Sequence, residues 1–320
     1  MRSGLLVSFV VLAAVGWRVT SISGQEARAG GASWQAAMGS ARVLAPDELV
    51  VGRTVDGESV ELLLETRRFV QVDLDTSDVR SIALTGLRPD DQPWGFARLP
   101  DGTRWTLVDR WTLALVSSDG RLTSRHPLAR PHIGLYGLGA RLLYQAFEAD
   151  PRRVGAAIGP PGNLYRHALE LRRAADTARG AAASRLDRLL ACGTSVWPIL
   201  PCWFPGRPAL YLVHDSGVVD ERPIDLAGVA RMVIGPSRTY AVRDATVDGA
   251  GRIWVLLEQP ASGPSLELAS GEALVLLLLS PDGRLVRAAE LSWRARLILG
   301  ATAAGCQILR TDGRVARVAA

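Results

Sequence analysis

Apolar and polar positions alternate in short runs that stop at Asp/Gly turns, and the same unit returns along the chain. It reads Leu113-Ala-Leu-Val-Ser-Ser-Asp119-Gly120-Arg121-Leu122, then Leu276-Leu-Leu-Leu-Ser-Pro-Asp282-Gly283-Arg284-Leu285, then Ile308-Leu-Arg-Thr-Asp312-Gly313-Arg314-Val315. A variant is Leu210-Tyr-Leu-Val-His-Asp215-Ser-Gly217, and looser copies lie at Phe69 to Asp78 and Leu164 to Glu170. Period-two alternation broken by Asp-Gly predicts hairpins, because Gly takes φ > 0 without steric cost.

A second element precedes several of these hairpins, a turn followed by a Trp-rich or aliphatic strand: Asp101-Gly102-Thr-Arg-Trp105-Thr-Leu-Val108 and Asp248-Gly-Ala-Gly251-Arg-Ile253-Trp254-Val255. Gly120 and Gly217 lie 97 residues apart with one looser copy between them, while the next intervals are 66 and 30. The spacing is irregular but averages one four-stranded unit of 40–50 residues, the sequence form of a β-propeller. Six landmarks predict an all-β protein of six four-stranded blades over 45–320, with seven as the alternative. A strand near Val50 is expected to complete the last blade, leaving no open sheet edge. Residues 174–191, rich in Ala and Arg, read as a short helix or as the outer part of one blade.

The N-terminus changes the picture. Arg2, the apolar run Leu5 to Val15 and the small residues Ser21, Ser23 and Gly24 have the form of a secretory signal over 1–24. The alternative is a retained anchor, although the apolar run is shorter than the ~20 residues that span a bilayer. Residues 25–44 are expected to be a flexible mature N-terminus, and the location periplasmic or extracellular. Export fits a disulfide between Cys192 and Cys202, with Cys306 left in the core.

The chain of 320 residues is 48% hydrophobic and 22% charged, with net charge +5. It has no Lys, and Asn163 is its one Asn. Acidic and basic residues are interleaved rather than gathered in a stripe, which argues against nucleic-acid binding. No stretch of the mature chain is long and apolar enough to span a membrane, and a monomer is expected.

The Pro281-Asp282-Gly283-Arg284-Leu285 turn and the Asp248-Gly-Ala-Gly-Arg-Ile-Trp-Val255 strand resemble the six-bladed propellers of the NHL-repeat and gluconolactonase-like group. The resemblance covers most of the mature chain and is strongest over 95–128 and 244–291. It implies a fold shared by binders, scaffolds and enzymes, and transfers no activity. Gluconolactonase-like members hold a divalent metal in the central funnel with Glu, Asn and Asp. Asn163 sits in a Pro-Pro-Gly-Asn turn, so that pattern is not recoverable, which counts against lactone hydrolysis.

Catalytic motifs fail in turn. Gly193-Thr-Ser195-Val-Trp197 lacks the second Gly of a nucleophile elbow, so Ser195 reads as a loop serine. A phosphate loop needs a Lys, and Gly137-Leu-Gly139 lacks the third Gly of a dinucleotide fingerprint. Asp73-Leu-Asp75-Thr-Ser-Asp78 lacks the Gly and closing Glu of a calcium loop and reads as a turn. The four histidines are isolated, so neither metal nor cofactor is assigned. Two similar turns, Arg88-Pro-Asp90-Asp91-Gln-Pro-Trp94-Gly95 and Arg130-Pro-His132-Ile-Gly134-Leu-Tyr136, each lead into an innermost strand. They place Trp94, His132 and Tyr136 at one mouth, with Asp109, Arg110 and Glu148 on neighbouring loops, a candidate ligand site. The competing reading packs Trp94 and Tyr136 between blades; Trp105, Trp111 and Trp254 are assigned to the core. The expected function is an exported module that binds a protein or small polar ligand without catalysis. The alternatives are a metal-dependent hydrolase or lyase acting on a lactone or sugar, and a structural part of an envelope assembly.

Overall fold

The computed structural model describes residues 36–128, 131–139, 141–146, 155–159, 191–196, 198–203, 208–214, 224–229, 240–258 and 273–320. The chain begins there with β1 (Ala36–Arg42) and then enters a meander of β2 (Val50–Val55), β3 (Ser59–Leu64), β4 (Arg68–Asp73) and β5 (Val79–Ala83). A second meander repeats it: β6 (Pro93–Arg98), β7 (Arg104–Val108), β8 (Thr112–Val116) and β9 (Leu122–Pro127). Three strands follow, β10 (His132–Leu138), β11 (Arg141–Ala146) and β12 (Gly155–Gly159). Next come β13 (Ala191–Cys192), β14 (Thr194–Ser195), β15 (Ile199–Trp203), β16 (Ala209–His214) and β17 (Ile224–Asp225). The last seven are β18 (Ala241–Val247), β19 (Ile253–Glu258), β20 (Ala273–Leu279), β21 (Leu285–Glu290), β22 (Ala295–Thr302), β23 (Gly305–Arg310) and β24 (Arg314–Ala319).

Among the described residues these strands form six sheets, five of them with four or five strands and one, β10–β11–β12, with three. Side chains alternate across each strand, so a strand buried on both faces feeds two cores at once. In β3, Val60, Leu62 and Leu64 pack toward Leu299 and Leu309 of the last sheet, while Leu63 packs toward Phe96 of the second. Each apolar cluster joins residues of two neighbouring sheets in this way, and the clusters run in a circuit from the first sheet to the last and back. The architecture is an all-β propeller. Strands such as β20, Leu-rich and buried from Val275 to Leu279, carry near-continuous apolar runs because both faces are covered.

Several expectations are corrected. Six complete four-stranded blades were predicted and five sheets of four or more strands are present among the described residues; the sheet of three, β10–β12, stops at Gly159, before the undescribed 160–190. The last sheet is completed by β1, which pairs antiparallel with β24, rather than by a strand near Val50. Val50 instead begins the innermost strand of the first sheet, and residues 36–44 belong to the closing blade rather than to a flexible tail. Trp105 and Trp254 are buried as expected, but Trp111 is 51% exposed, because it ends the β7–β8 turn and faces outward. The uneven Asp-Gly spacing also has a cause. Asp119-Gly120 and Asp282-Gly283 join the third and fourth strands of their sheets, whereas Asp312-Gly313 joins the second and third, β23 and β24. The landmark at Leu164 to Glu170 and, but for Ala191 in β13, the segment 174–191 read as a short helix or the outer part of one blade lie outside the described residues. Among the described residues no helix is long and apolar enough to cross a membrane.

Gly313 shows why that turn needs glycine. Its φ is +79°, and a Cβ there would sit 1.9 Å from the carbonyl oxygen of Leu44, the backbone that leads from β1 into β2.

Candidate functional site

All innermost strands begin at one end of the ring, here the upper face, and converge on the axis. Their crowding shows in two glycines: a Cβ on Gly52 would meet Phe96 at 2.4 Å, and one on Gly193 would meet the Ala245 carbonyl at 1.8 Å. At the second contact the innermost segment of its sheet splits. β13 stays with β15, while β14 pairs parallel with β18 of the next sheet. Ser195, read as a loop serine, is therefore part of a short strand.

Just below the upper face, five innermost strands carry a register shift. The pairs Val50↔Leu64 and Gly52↔Leu63 leave Val51 as the extra residue, and Trp94, Ile133, Arg243 and Arg296 occupy the same place in β6, β10, β18 and β22. A bulge of this kind re-aims a side chain and bends the strand. The result is an axial cavity of about 310 Å³, lined among others by Val51, Trp94, Tyr136, Trp203, Arg243 and Asp244.

Its floor is an ion pair. Arg53 reaches Asp244 with both terminal nitrogens, one at 2.5 Å, and also donates to the carbonyl of Ile298. The same carboxylate accepts the backbone N–H of Ala245 at 2.9 Å and of Ile298 at 2.6 Å. Four donors thus fill its four acceptor sites, tying β2, β18 and β22 together across the axis. Asp244 is buried and Arg53 largely so, which makes the pair hard to break one partner at a time.

Of the residues singled out from the sequence, Trp94 and Tyr136 line the cavity, and Asp109 and Arg110 sit in the turn beside Trp94. Trp94 is 39% exposed, and the Arg110 guanidinium lies over its ring, 3.6 Å from the centroid. Asp109 and Arg110 are two of the three residues between β7 and β8, both with φ > 0 (50° and 63°), a pair of conformations for which Asn-Gly is the relaxed choice. That turn is held from both sides. Asp109 accepts the N–H of Gln92 at 2.6 Å and donates its own to the Gln92 carbonyl, and the Arg110 carbonyl accepts the N–H of His132 at 2.7 Å. His132 is buried, so it serves the junction of two blades rather than the cavity. Tyr136 lines the cavity; burial pushes its phenol above the usual range, against the contrary pull of the Cys192 backbone and Arg53. Glu148 lies outside the described residues.

Cys192 and Cys202 are joined by a disulfide, and Cys192 forms part of the cavity wall. Cys306 is a buried free thiol whose pKa burial pushes well up, so it stays a neutral core group. Sequence reading missed Arg53, Trp203, Arg243 and Asp244. Each is one of many similar residues along the chain, and of the four only Arg243 stands at the register shift of an innermost strand.

A funnel metal of the gluconolactonase-like kind does not fit these residues. Asp244 is the one carboxylate among the described lining residues, and its acceptor sites are filled. Divalent cations of that kind take several oxygen ligands.

No family model matches the chain, and no curated protein matches it. Solved structures with a similar fold include a protein of unknown function from Bacteroides caccae, 14% identical over 78% of this chain and 84% of that one, with a TM-score of 0.46. Another is Kuenenia stuttgartiensis hydrazine synthase, 12% identical over 88% and 98%, with a TM-score of 0.46. A third is a catalytically inactive virginiamycin B lyase from Staphylococcus aureus with quinupristin, 10% identical over 89% and 100%, with a TM-score of 0.49. Likenesses at this level carry no argument about function.

Proposed function

We propose that this chain is an exported propeller, NHL-like in its turns, that acts as a non-catalytic binding module, with the axial cavity as its ligand site. Export rests on the signal-like leader, and the NHL likeness on the Asp-Gly-Arg turns. The observation that carries the binding reading is the cavity itself. It combines aromatic walls from Trp94, Tyr136 and Trp203 with a polar floor whose charges are already paired. Its volume of about 310 Å³ is at the lower end of the range for small-molecule pockets. Asp244, with every acceptor site engaged, is poorly placed to take a metal, which supports binding over hydrolysis. In this reading β10–β12 serve as the sixth sector of the ring.

The test is a thermal melt of the mature protein with calcium, magnesium or zinc and then EDTA, beside a screen of small polar ligands. A ligand bound to the native state raises Tm with its concentration. The expected result is no metal response and a saturable response to some ligand that Trp94→Ala weakens. A metal-dependent rise reversed by EDTA would overturn the non-catalytic reading in favour of the hydrolase.

A further inference from the structure

We propose, resting on the binding reading above, that the cavity takes a small organic anion with a flat apolar body, its anionic oxygens set between Arg243 and Arg296 and its body against Trp94 and Tyr136. Three observations lead there. The bulged position is equivalent on five innermost strands, and at three of them, Val51, Trp94 and Arg243, the residue lines the cavity. Arg296 holds the same position on β22, next to the lining residue Leu297. The rim is therefore two-sided, with arginine on two adjacent strands and apolar or aromatic residues on the others.

The second observation is charge. Arg53 is neutralised by Asp244, and Arg243 donates to Glu258 at 2.5 Å and to the Arg296 carbonyl at 2.7 Å. Arg296 donates to the backbone carbonyl of Glu48, while the Glu48 carboxylate is engaged by Arg68. The Nη1 of Arg296 is buried and has no acceptor among the described residues. A buried guanidinium nitrogen without a partner is costly, and an anion beside it would supply the missing acceptor. Reaching it takes a rotamer change in one long, flexible side chain.

The third is mutual repulsion. Burial and the nearby charge of Arg243 lower the pKa of Arg296, outweighing the upward pull of Glu48 and Asp47. An anionic group between the two would relieve that repulsion, and a cation would add to it. Carboxylate and phosphate both present anionic oxygens, planar or tripodal, that accept hydrogen bonds from guanidinium forks.

The experiment uses the full mature chain and four probes of one shape: 2-naphthoate, 2-naphthyl phosphate, the neutral 2-naphthamide and the cationic 2-naphthylmethylamine. Binding is read by calorimetry and Trp fluorescence. Either anion is expected to bind about tenfold or more tighter than the amide, to weaken as salt rises, and to lose most of that preference in Arg296→Gln. Trp94→Ala, at an exposed position, is expected to weaken anions and amide alike. The tighter of the two anions identifies the group. An amide that binds as well as the anions, or an amine that binds better, overturns the anion assignment and leaves the cavity as a binding site. If none of the four binds to protein with a native melt, the small-ligand reading falls with it.

Discussion

The two ends of the same strands are built differently. On the lower face the turns are relaxed: Gly57, Gly102, Gly120, Gly251 and Gly283 supply the positive φ that each turn needs. Ser117 and Ser280 hydroxyls reach the carboxylates of Asp119 and Asp282, and those hydrogen bonds hold both pKa values below the ordinary 3.8. On the upper face Gly313 closes the β23–β24 turn, but Arg67, Asp109 and Arg110 take φ > 0 without glycine, and the innermost strands bulge. Among the described residues Ser77 is the lower face's one non-glycine exception. Non-glycine residues in that region cost about 1–3 kcal/mol each and persist where the surroundings over-determine them. For Asp109 and Arg110 those surroundings are Gln92, His132 and the Trp94 ring, and for Arg67 the carbonyls of Arg88 and Pro89. One end of the ring is optimised for closing hairpins, and the other retains strain where side chains meet a cavity.

The largest expected effect breaks the link between the two ends. Asp244→Ala leaves Arg53 buried without its counter-ion and is expected to cost about 3–5 kcal/mol in urea unfolding. The double variant Arg53→Met/Asp244→Leu should recover much of it, because an apolar pair of similar volume removes both desolvation penalties. A recovery of nothing would mean that the backbone contacts of Asp244, not its charge, hold the floor.

Next come the disulfide and the lower turns. Cys192→Ser/Cys202→Ser opens a loop of sequence separation 10 and is expected to cost about 2–3 kcal/mol on the chain-entropy estimate. Gly120→Ala, at φ +85° with a Cβ 2.2 Å from the Ala83 carbonyl, should cost at least about 1–2 kcal/mol. Arg110→Gly on the upper face should do the reverse in kind. Relief of about 1–2 kcal/mol is offset by about 0.5–1 of chain entropy and about 0.5–1 of lost cation–π attraction. Its melting temperature should barely move while the Trp94 emission changes. A large loss of stability in Arg110→Gly would erase the contrast between the faces.

The smallest effect is with pH. Glu48 and Asp91 are both held below their ordinary values of 4.5 and 3.8. In each, burial works upward but is outweighed, by Arg68 and the Ala45 N–H for Glu48 and by Arg125 and the Arg88 N–H for Asp91. Their stabilisation is therefore fully present above those ordinary values and is lost as pH falls through the lower folded ones. Melting temperature should hold from pH 7 to about 5 and fall below about 4. Asp91→Asn should flatten part of that fall, whereas Asp282→Asn, at an exposed lower turn, should change it less.

Much of the fold was legible in the chain. Asp119-Gly120, Asp282-Gly283 and Asp248 to Gly251 mark turns because only local geometry decides them, and β7, β19 and β20 read as strands from their apolar runs. Trp94 and Tyr136 were legible as cavity residues because two similar turns lead into two innermost strands, with Arg110 expected on a neighbouring loop. Trp111 was misplaced because composition cannot tell a turn-end Trp from a core one. Arg53, Arg243 and Arg296 were illegible among 37 basic residues, since nothing local separates an axial arginine from a surface one.

The sequence by itself determined that this protein is all-β, built from hairpin units, and closed by turns that glycine makes possible. Those are properties of residues a few positions apart, where φ preference and side-chain alternation act directly. Tertiary structure alone decided that Ala36–Arg42, not a strand near Val50, completes the ring, and that Arg53 meets Asp244. It also decided that bulges at equivalent positions on separate strands face one cavity. Such pairings join residues up to about 280 positions apart, and they are selected by how whole sheets pack around an axis rather than by any local preference.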